Sequence, residues 1–338
     1  MEEQRAEGRN SALILLIGVE GSSYRLPGAK MAADEDGNVF GMVSGGCLEA
    51  DLAERARQTI EDHKSQTVTY DLSSEEMWGL GIGCGGSVEF LILPIYAGED
   101  DDRFWRSVRE PAHSGNEMTL VLDVERPAER WLVPAEVGGV NIPSDIAAIL
   151  AERSYRSKAG TVRLDGRRLF VDTLVPAERL VISGAGPDAV PVAAMAAKVG
   201  FDVTLLDPRK ERNQEIRFPG VRHRVADPSE VSPDEFSGAW WIVMNHNKER
   251  DGAALALALQ SAPAYVGMLG PRRRTEEIAA RLGLAEELDR LPVHAPIGLD
   301  LNGETYEEVA VSIVAELMGL RGGRSGGHLL RTGKIHAT

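Results

Sequence analysis

Residues 180–207 read LVISGAGPDAVPVAAMAAKVGFDVTLLD. A short apolar run, the turn Gly184-Ala185-Gly186, an alanine-rich helix and a second apolar run closing on Asp207 make one strand–helix–strand unit. Two strands joined in this way lie parallel in one sheet with a right-handed crossover, which leaves few architectures. The rhythm continues through WWIVMNH, ending at His246, and YVGMLG, ending at Gly270. These runs are apolar throughout, as expected where helices cover both faces of a sheet. Helices are expected at DAVPVAAMAAKVG, TEEIAARLG and TYEEVAVSIVAELM. Thr305 and Glu308 have capping-box spacing, and Val309, Ile313 and Leu317 share one helical face. Pro191 falls near the first turn of its helix, where a missing donor is tolerated. The expectation is a doubly wound parallel sheet over residues 179–322.

Open sheets of this kind, Rossmann-like in pattern, bind ligands beyond the carboxyl ends of their strands. Gly184 and Gly186 permit a close backbone approach there, and the helix N-terminus that follows favours phosphate. Asp207, about 20 residues on, stands where a ribose-binding carboxylate is expected. Asn245 and His246 close another strand. Arg272, Arg273 and Arg274 begin a helix at the same expected edge, where guanidinium groups clamp phosphate. Three readings stay open: a dinucleotide such as NAD(P), another phosphate ligand, or a scaffold whose turn merely needs glycine. His246 is a candidate proton donor or ligand contact, and equally a plain strand-end histidine.

Upstream, ALILLIGV (12–19) reads as a buried strand, followed by the loop GSSYRLPGAKM (21–31). Asp36-Gly37 between MAAD and NVFGMV signals a hairpin. After Ser44-Gly45-Gly46-Cys47, residues Leu48, Leu52, Ala56 and Ile60 recur on one helical face. A second glycine cluster, GLGIGCGG (79–86), precedes the strand VEFLILPI (88–95). Residues 1–97 therefore read as an α/β domain with Gly-rich loops. Residues 98–178 read as a linker or intermediate β-containing segment, with an acidic run EDDDRF, strand-like TLVLDV and TVRLDGRRLFVDTL, and a hairpin signal at Asp165-Gly166. The Gly-rich tail 323–338 reads as flexible.

Charge decides the broad class of partner. Lys and Arg total 37 against 52 Asp and Glu, a formal charge of −15, which disfavours nucleic acid and anionic membranes. No apolar stretch approaches the roughly 18–20 residues of a membrane span, and the polar N-terminus lacks a secretory pattern. Two cysteines do not make a disulfide framework, so a cytoplasmic location is expected.

Both cysteines lie inside glycine clusters. Gly45 and Gly46 precede Cys47, and Gly85 and Gly86 follow Cys84. Cys47 stands ahead of a helix, whose N-terminus lowers a thiol's pKa, and glycine leaves the sulfur accessible. The alternative is a pair of inert buried hydrophobes. Two isolated cysteines do not make a zinc site. Because consecutive elements pack as neighbours, Cys47 and Cys84 are expected to converge on one ligand, with Arg25 and Lys30 placed to hold its phosphate.

The segments GSSYRLPGAKM, SGGCLE, GIGCGG, GAGPDA, GMLGPRRR and APIGLDL together resemble the XdhC/CoxI family of xanthine dehydrogenase accessory factors. SGGCLE with PIGLDL is specific, and the likeness spans nearly the whole chain except the tail and the weakly patterned middle. It implies a protein that binds and protects the molybdenum cofactor (molybdopterin). That cofactor would be handed to a molybdenum hydroxylase of the xanthine dehydrogenase type after a cysteine desulfurase replaces an oxo ligand with sulfur. A homodimer is also implied. In that setting Cys47, Cys84 and His246 are the candidate reactive residues. Arg25, Lys30, Gly45, Gly46, Gly85, Gly86, Gly184, Gly186, Asp207, Arg272 and Arg273 are the candidate cofactor contacts. The chain departs from the family pattern in beginning almost at the first strand, in Asn245-His246-Asn247 where Thr-His-Asp is common, in Pro271 where serine is common, and in Tyr306 where proline is usual. An NAD(P)-dependent oxidoreductase and a nucleotide sensor remain as alternatives. The first needs a proton relay for which only His246 offers itself; the second needs neither cysteine.

Overall fold

Strand β1 (Ser11–Gly21) is apolar without alternation because both its faces are covered. The computed structural model describes residues 9–72, 86–97, 104–105, 107–108, 117–134, 142–152, 159–286 and 288–328. In it, β1 is the middle strand of a five-stranded antiparallel sheet with β2 (Lys30–Asp34), β3 (Val39–Gly41), β4 (Gln66–Asp71) and β5 (Gly86–Ile95), in the order β3-β2-β1-β5-β4. Ala12, Ile14 and Leu16 share a core with Leu52, Ala53 and Ala56 of helix α1 (Glu49–Asp62). Leu15 and Ile17 point the other way, into a core with Leu120, Leu122 and Phe170. Strand β5 divides likewise: Phe90 and Ile92 belong to the first core, Leu91 and Leu93 to the second. Each such aliphatic side chain withdrawn from water contributes about 1.5–3 kcal/mol.

That second core is closed by a four-stranded antiparallel sheet, β6 (Met118–Asp123), β7 (Arg130–Pro134), β8 (Gly160–Leu164) and β9 (Arg167–Leu174), in the order β7-β6-β9-β8. Its outer face carries Val121, Leu169 and Val171, covered by Ile146 of helix α2 (Ser144–Glu152). The layers therefore run helix, sheet, sheet, helix. The chain divides into two compact units, Met1–Pro176 and Ala177–Thr338. The strands read from sequence as a segment of their own at 98–178 thus belong to the first unit, because their inner face and that of β1 and β5 have no other cover. Both hairpins form where Asp-Gly marks them. At β8–β9, Leu164 pairs with Arg167, and the two loop residues have φ of 46° at Asp165 and 80° at Gly166, the left-handed pair a two-residue turn requires.

The second unit is the parallel sheet. Strands β10 (Arg179–Ser183), β11 (Asp202–Leu206), β12 (Arg222–Arg224), β13 (Trp240–Val243), β14 (Tyr265–Met268) and β15 (Val293–His294) are ordered β12-β11-β10-β13-β14-β15. Every pairing is parallel. Helices α3 (Ala189–Lys198) and α6 (Tyr306–Arg321) cover one face, where Val192 and Ala196 meet Ile313 and Leu317. Helices α4 (Lys248–Gln260) and α5 (Arg272–Arg281) cover the other, around Trp241. Thr305 and Glu308 make the expected capping box at the start of α6. Tyr306 is then the first helical residue, a position whose amide lacks a helical partner in any case, which is why proline and tyrosine are both accommodated. No helix among the described residues is long and apolar enough to cross a membrane.

Candidate functional site

In the first unit the SGGCLE segment is a loop pinned by its own glutamate. The Glu49 carboxylate accepts from the amides of Val43 at 3.0 Å, Ser44 at 2.8 Å and Gly46 at 2.9 Å, and from the Ser44 hydroxyl. Ser44 Oγ in turn accepts from the Leu48 amide at 2.9 Å. Burial pushes the Glu49 carboxyl up, but the Ser44 hydroxyl and the Ser44 and Val43 amides outweigh it and hold the group below its ordinary value. Gly45 and Gly46 sit at φ of +89° and +107°, which glycine adopts without strain. A Cβ on Gly45 would approach the Tyr24 ring at 3.1 Å, so this loop and the loop after β1 interlock.

The two loops bound a small open pocket. Leu48, Val88 and Phe90 form its apolar floor, and Tyr24, Arg25, Ser44 and Cys47 its rim. Cys47 is exposed and lies one residue before the α1 N-cap, Leu48. Arg25 is exposed too, and among the described residues its guanidinium has no ion-pair partner. Lys30 is engaged differently: its ammonium donates to Asp172 and to the Gly28 carbonyl. Gly86 closes the β1–β5 pairing opposite Gly21, where a Cβ would overlap the Glu20 carbonyl. Cys84 and Gly85 lie outside the described residues. The structure therefore brings together Cys47, Gly45, Gly46 and Arg25, and sets Lys30 in an ion pair. Glu49, which organises the loop, was missed as a functional residue, because an acid in a helix's first turn ordinarily reads as a dipole partner.

In the second unit the order of strands reverses between β10 and β13, the crevice where ligands of such sheets bind. The turn after β10 and the Asn245-His246 pair after β13 face each other there. Gly184 has φ of +120°, and a Cβ on it would come within 2.6 Å of the Met244 carbonyl oxygen. Gly186 packs against the Asp188 carboxylate in the same way. His246, at a left-handed φ of 57°, donates from Nε2 to Asp188 Oδ2 at 2.7 Å. The Asp188 side chain is 9% exposed and the His246 ring 62%.

Asp207 is wholly buried. It accepts from the Ala185 amide at 2.7 Å, the Arg209 amide at 2.8 Å and Arg209 Nε at 2.8 Å. Burial raises its pKa, but the Arg209 guanidinium and these amides win and hold the carboxyl below its ordinary value. Its role is thus to clamp the glycine turn. Asp251, on the first turn of α4, accepts from the Asn245 amide at 3.0 Å and from Arg274 Nη2 at 2.6 Å. The three arginines do begin their helix at the same sheet edge as Gly186. Arg272 pairs with Glu276 and Asp289, and Arg273 with Glu277, on the surface. Only Arg274 turns toward the strand ends. Pro271 is the N-cap of α5 and supplies no side-chain acceptor. Among the described residues no cluster of three or more His, Cys, Asp or Glu is arranged to hold a metal ion.

A six-stranded parallel sheet in this order, with a glycine turn at its reversal, defines a Rossmann-type domain, here preceded by a double antiparallel sheet carrying a pinned cysteine loop. The family model for the XdhC Rossmann domain matches residues 180–317, and that for the XdhC and CoxI family matches residues 4–71. This chain belongs to the XdhC and CoxI family. A Bacillus subtilis protein named as a probable xanthine dehydrogenase subunit is 29% identical over 316 residues, 92% of this chain and 93% of that protein. The molybdenum cofactor insertion chaperone PaoD of Escherichia coli is 24% identical over 326 residues, 94% of this chain and 86% of that protein. A crystal structure described as a xanthine dehydrogenase from Bacillus halodurans has a TM-score of 0.76 at 27% identity, covering 98% of this chain and 97% of that one.

Proposed function

We propose that this chain is an accessory protein that holds the molybdenum cofactor and inserts it into a molybdenum hydroxylase of the xanthine dehydrogenase type. The observation that carries this reading is a likeness to an insertion chaperone that runs through both units, over 94% of this chain. The first unit's pocket suits such cargo. An exposed thiol is a soft ligand, suited to molybdenum or to a sulfur atom in transit. Arg25 offers an uncommitted guanidinium to the cofactor's phosphate. Tyr24, Phe40 and Met42, which are 60%, 38% and 41% exposed, give the region apolar surface for the receiving enzyme. A cysteine desulfurase as sulfur donor, a homodimer and a cytoplasmic location complete the proposal.

To test it, the full chain is purified from a host that makes the cofactor, and bound molybdenum and pterin are measured. Transfer to a cofactor-free hydroxylase is then followed by the activity restored. Cys47→Ser and Arg25→Ala are expected to fold normally and to retain or deliver less cofactor. Absence of molybdenum and pterin from the wild-type protein, together with no stimulation of the hydroxylase, overturns the reading.

A further inference from the structure

The reversal point of the parallel sheet carries two buried acceptors with no partner. Asp188 Oδ1 and Asn245 Oδ1 are each shut away from solvent without a hydrogen bond. Asp188 and Asn245 are 7% and 6% exposed. Leaving such oxygens unmatched is costly, so native proteins rarely keep them without reason. They lie where a dinucleotide's pyrophosphate would sit, beside the N-terminus of α3. The niche is already filled by negative charge, because Asp188 is the N-cap residue of α3 and its carboxylate makes no capping bond. Asp207, the expected ribose carboxylate, is spent on Ala185 and Arg209. Arg274 is spent on Asp251, and the neighbouring arginines on their own carboxylates. The two unpartnered oxygens are acceptors, and what they call for is hydrogen-bond donors.

We propose that this crevice recognises the N–H edge of a pterin ring, the 2-amino group and the adjacent ring N–H, and that His246 keeps that place until the ring arrives. A carboxylate matches two neighbouring N–H donors in bidentate fashion, and the Asn245 carbonyl is a third acceptor beside it. The His246 ring is exposed and its backbone is held in the left-handed region, an arrangement that persists only where the surroundings enforce it. Swinging that ring outward frees Asp188 Oδ2 alongside the unpartnered Oδ1, and the incoming edge takes over the bond that Nε2 makes now. Ribose hydroxyls also donate, but the acceptor this fold uses for them is Asp207, which is closed. This inference rests on the chain handling a pterin cofactor and gives the second unit a pterin-ring site of its own.

The test uses the full-length protein and free ring probes. Pterin, lumazine (which carries a carbonyl in place of the 2-amino group) and NADH are titrated while fluorescence is followed. Pterin is expected to bind at least about tenfold more tightly than lumazine, since a site built for a donor rejects an analogue lacking it. Asp188→Asn, with an unchanged melting curve, is expected to abolish that preference, and His246→Ala to leave pterin affinity equal or higher. Equal binding of pterin and lumazine by the wild type overturns the proposal without any variant, as does NADH binding that exceeds pterin binding. Molybdenum retention by Asp188→Asn, measured alongside, separates the two readings. If the cofactor still loads while pterin discrimination never existed, the insertion role stands and this assignment falls.

Discussion

Lys30 and Asp172, 142 positions apart, form an ion pair that joins β2 of the first sheet to β9 of the second. The aspartate is 8% exposed and the lysine 39%, so the pair is neither a surface ornament nor fully buried. Its existence gives Lys30 a partner within the fold, whereas Arg25 on the same loop has its charge turned outward.

Lys30→Ala and Arg25→Ala are therefore expected to behave oppositely. The first leaves Asp172 buried without its cation and is expected to lower the stability of the unit by about 1–2 kcal/mol, between the values for exposed and buried pairs. The second is expected to leave the denaturation midpoint unchanged and to reduce retained molybdenum. Urea melts paired with metal analysis of the two proteins decide this.

Glu49 makes the cysteine loop sensitive to acid. Its folded pKa is depressed below the ordinary 4.5, so the stability it contributes is fully present above that value and is lost as pH falls through the folded one. Glu49→Gln should cost about 1–3 kcal/mol at neutral pH, since a neutral amide accepts fewer of the four donors. It should also flatten the acid limb of the stability profile. An unchanged limb in the variant would mean that the loop is held by something else.

Substitution at Gly184 should injure folding before it injures binding. An added methyl meets the Met244 carbonyl at 2.6 Å, on a backbone at φ of +120°. Gly184→Ala is expected to cost about 2–4 kcal/mol, read as a lowered melting temperature of the second unit.

Thr305→Ala removes the side-chain half of the α6 capping box and is expected to cost about 1 kcal/mol. Faster amide hydrogen exchange confined to the first turn of α6 is the signature to look for. Retained protection there would show that tertiary packing alone fixes the helix start.

Local signals were legible in the sequence and long-range ones were not. Asp36-Gly37 and Asp165-Gly166 disclose their hairpins because only certain residues tolerate positive φ, and Thr305 with Glu308 discloses a helix start through hydrogen bonds three residues apart. The strand–turn–helix pattern around Gly184 likewise gives the parallel sheet and the edge at which its loops meet. By contrast, nothing near residue 120 records that Leu120 and Leu122 meet Leu15 and Leu91, so the second sheet reads as a separate segment. The His246–Asp188 bond joins residues 58 positions apart; each side chain is visible in its motif, but the pairing exists only after folding. Arg272 and Arg273 read as phosphate contacts, although Glu276 and Glu277 stand four residues on along the same helix and pair with them; the second partner of Arg272, Asp289, lies 17 residues away.

Strand β1 has no solvent side, and this bears on how the protein can be divided by evolution or by experiment. Its inner neighbours on one face come from residues 48–60 and on the other from residues 120–170. A fragment ending near residue 97 would present Leu15, Ile17, Leu91 and Leu93 to water as one sticky sheet, and association or degradation is the expected fate of such a surface. The smallest heritable module containing the cysteine loop is therefore the whole of residues 1–176. Fusions, truncations and domain exchanges that respect the Pro176–Ala177 junction keep the pocket, and those that cut after β5 lose the sheet that covers the back of the one carrying it.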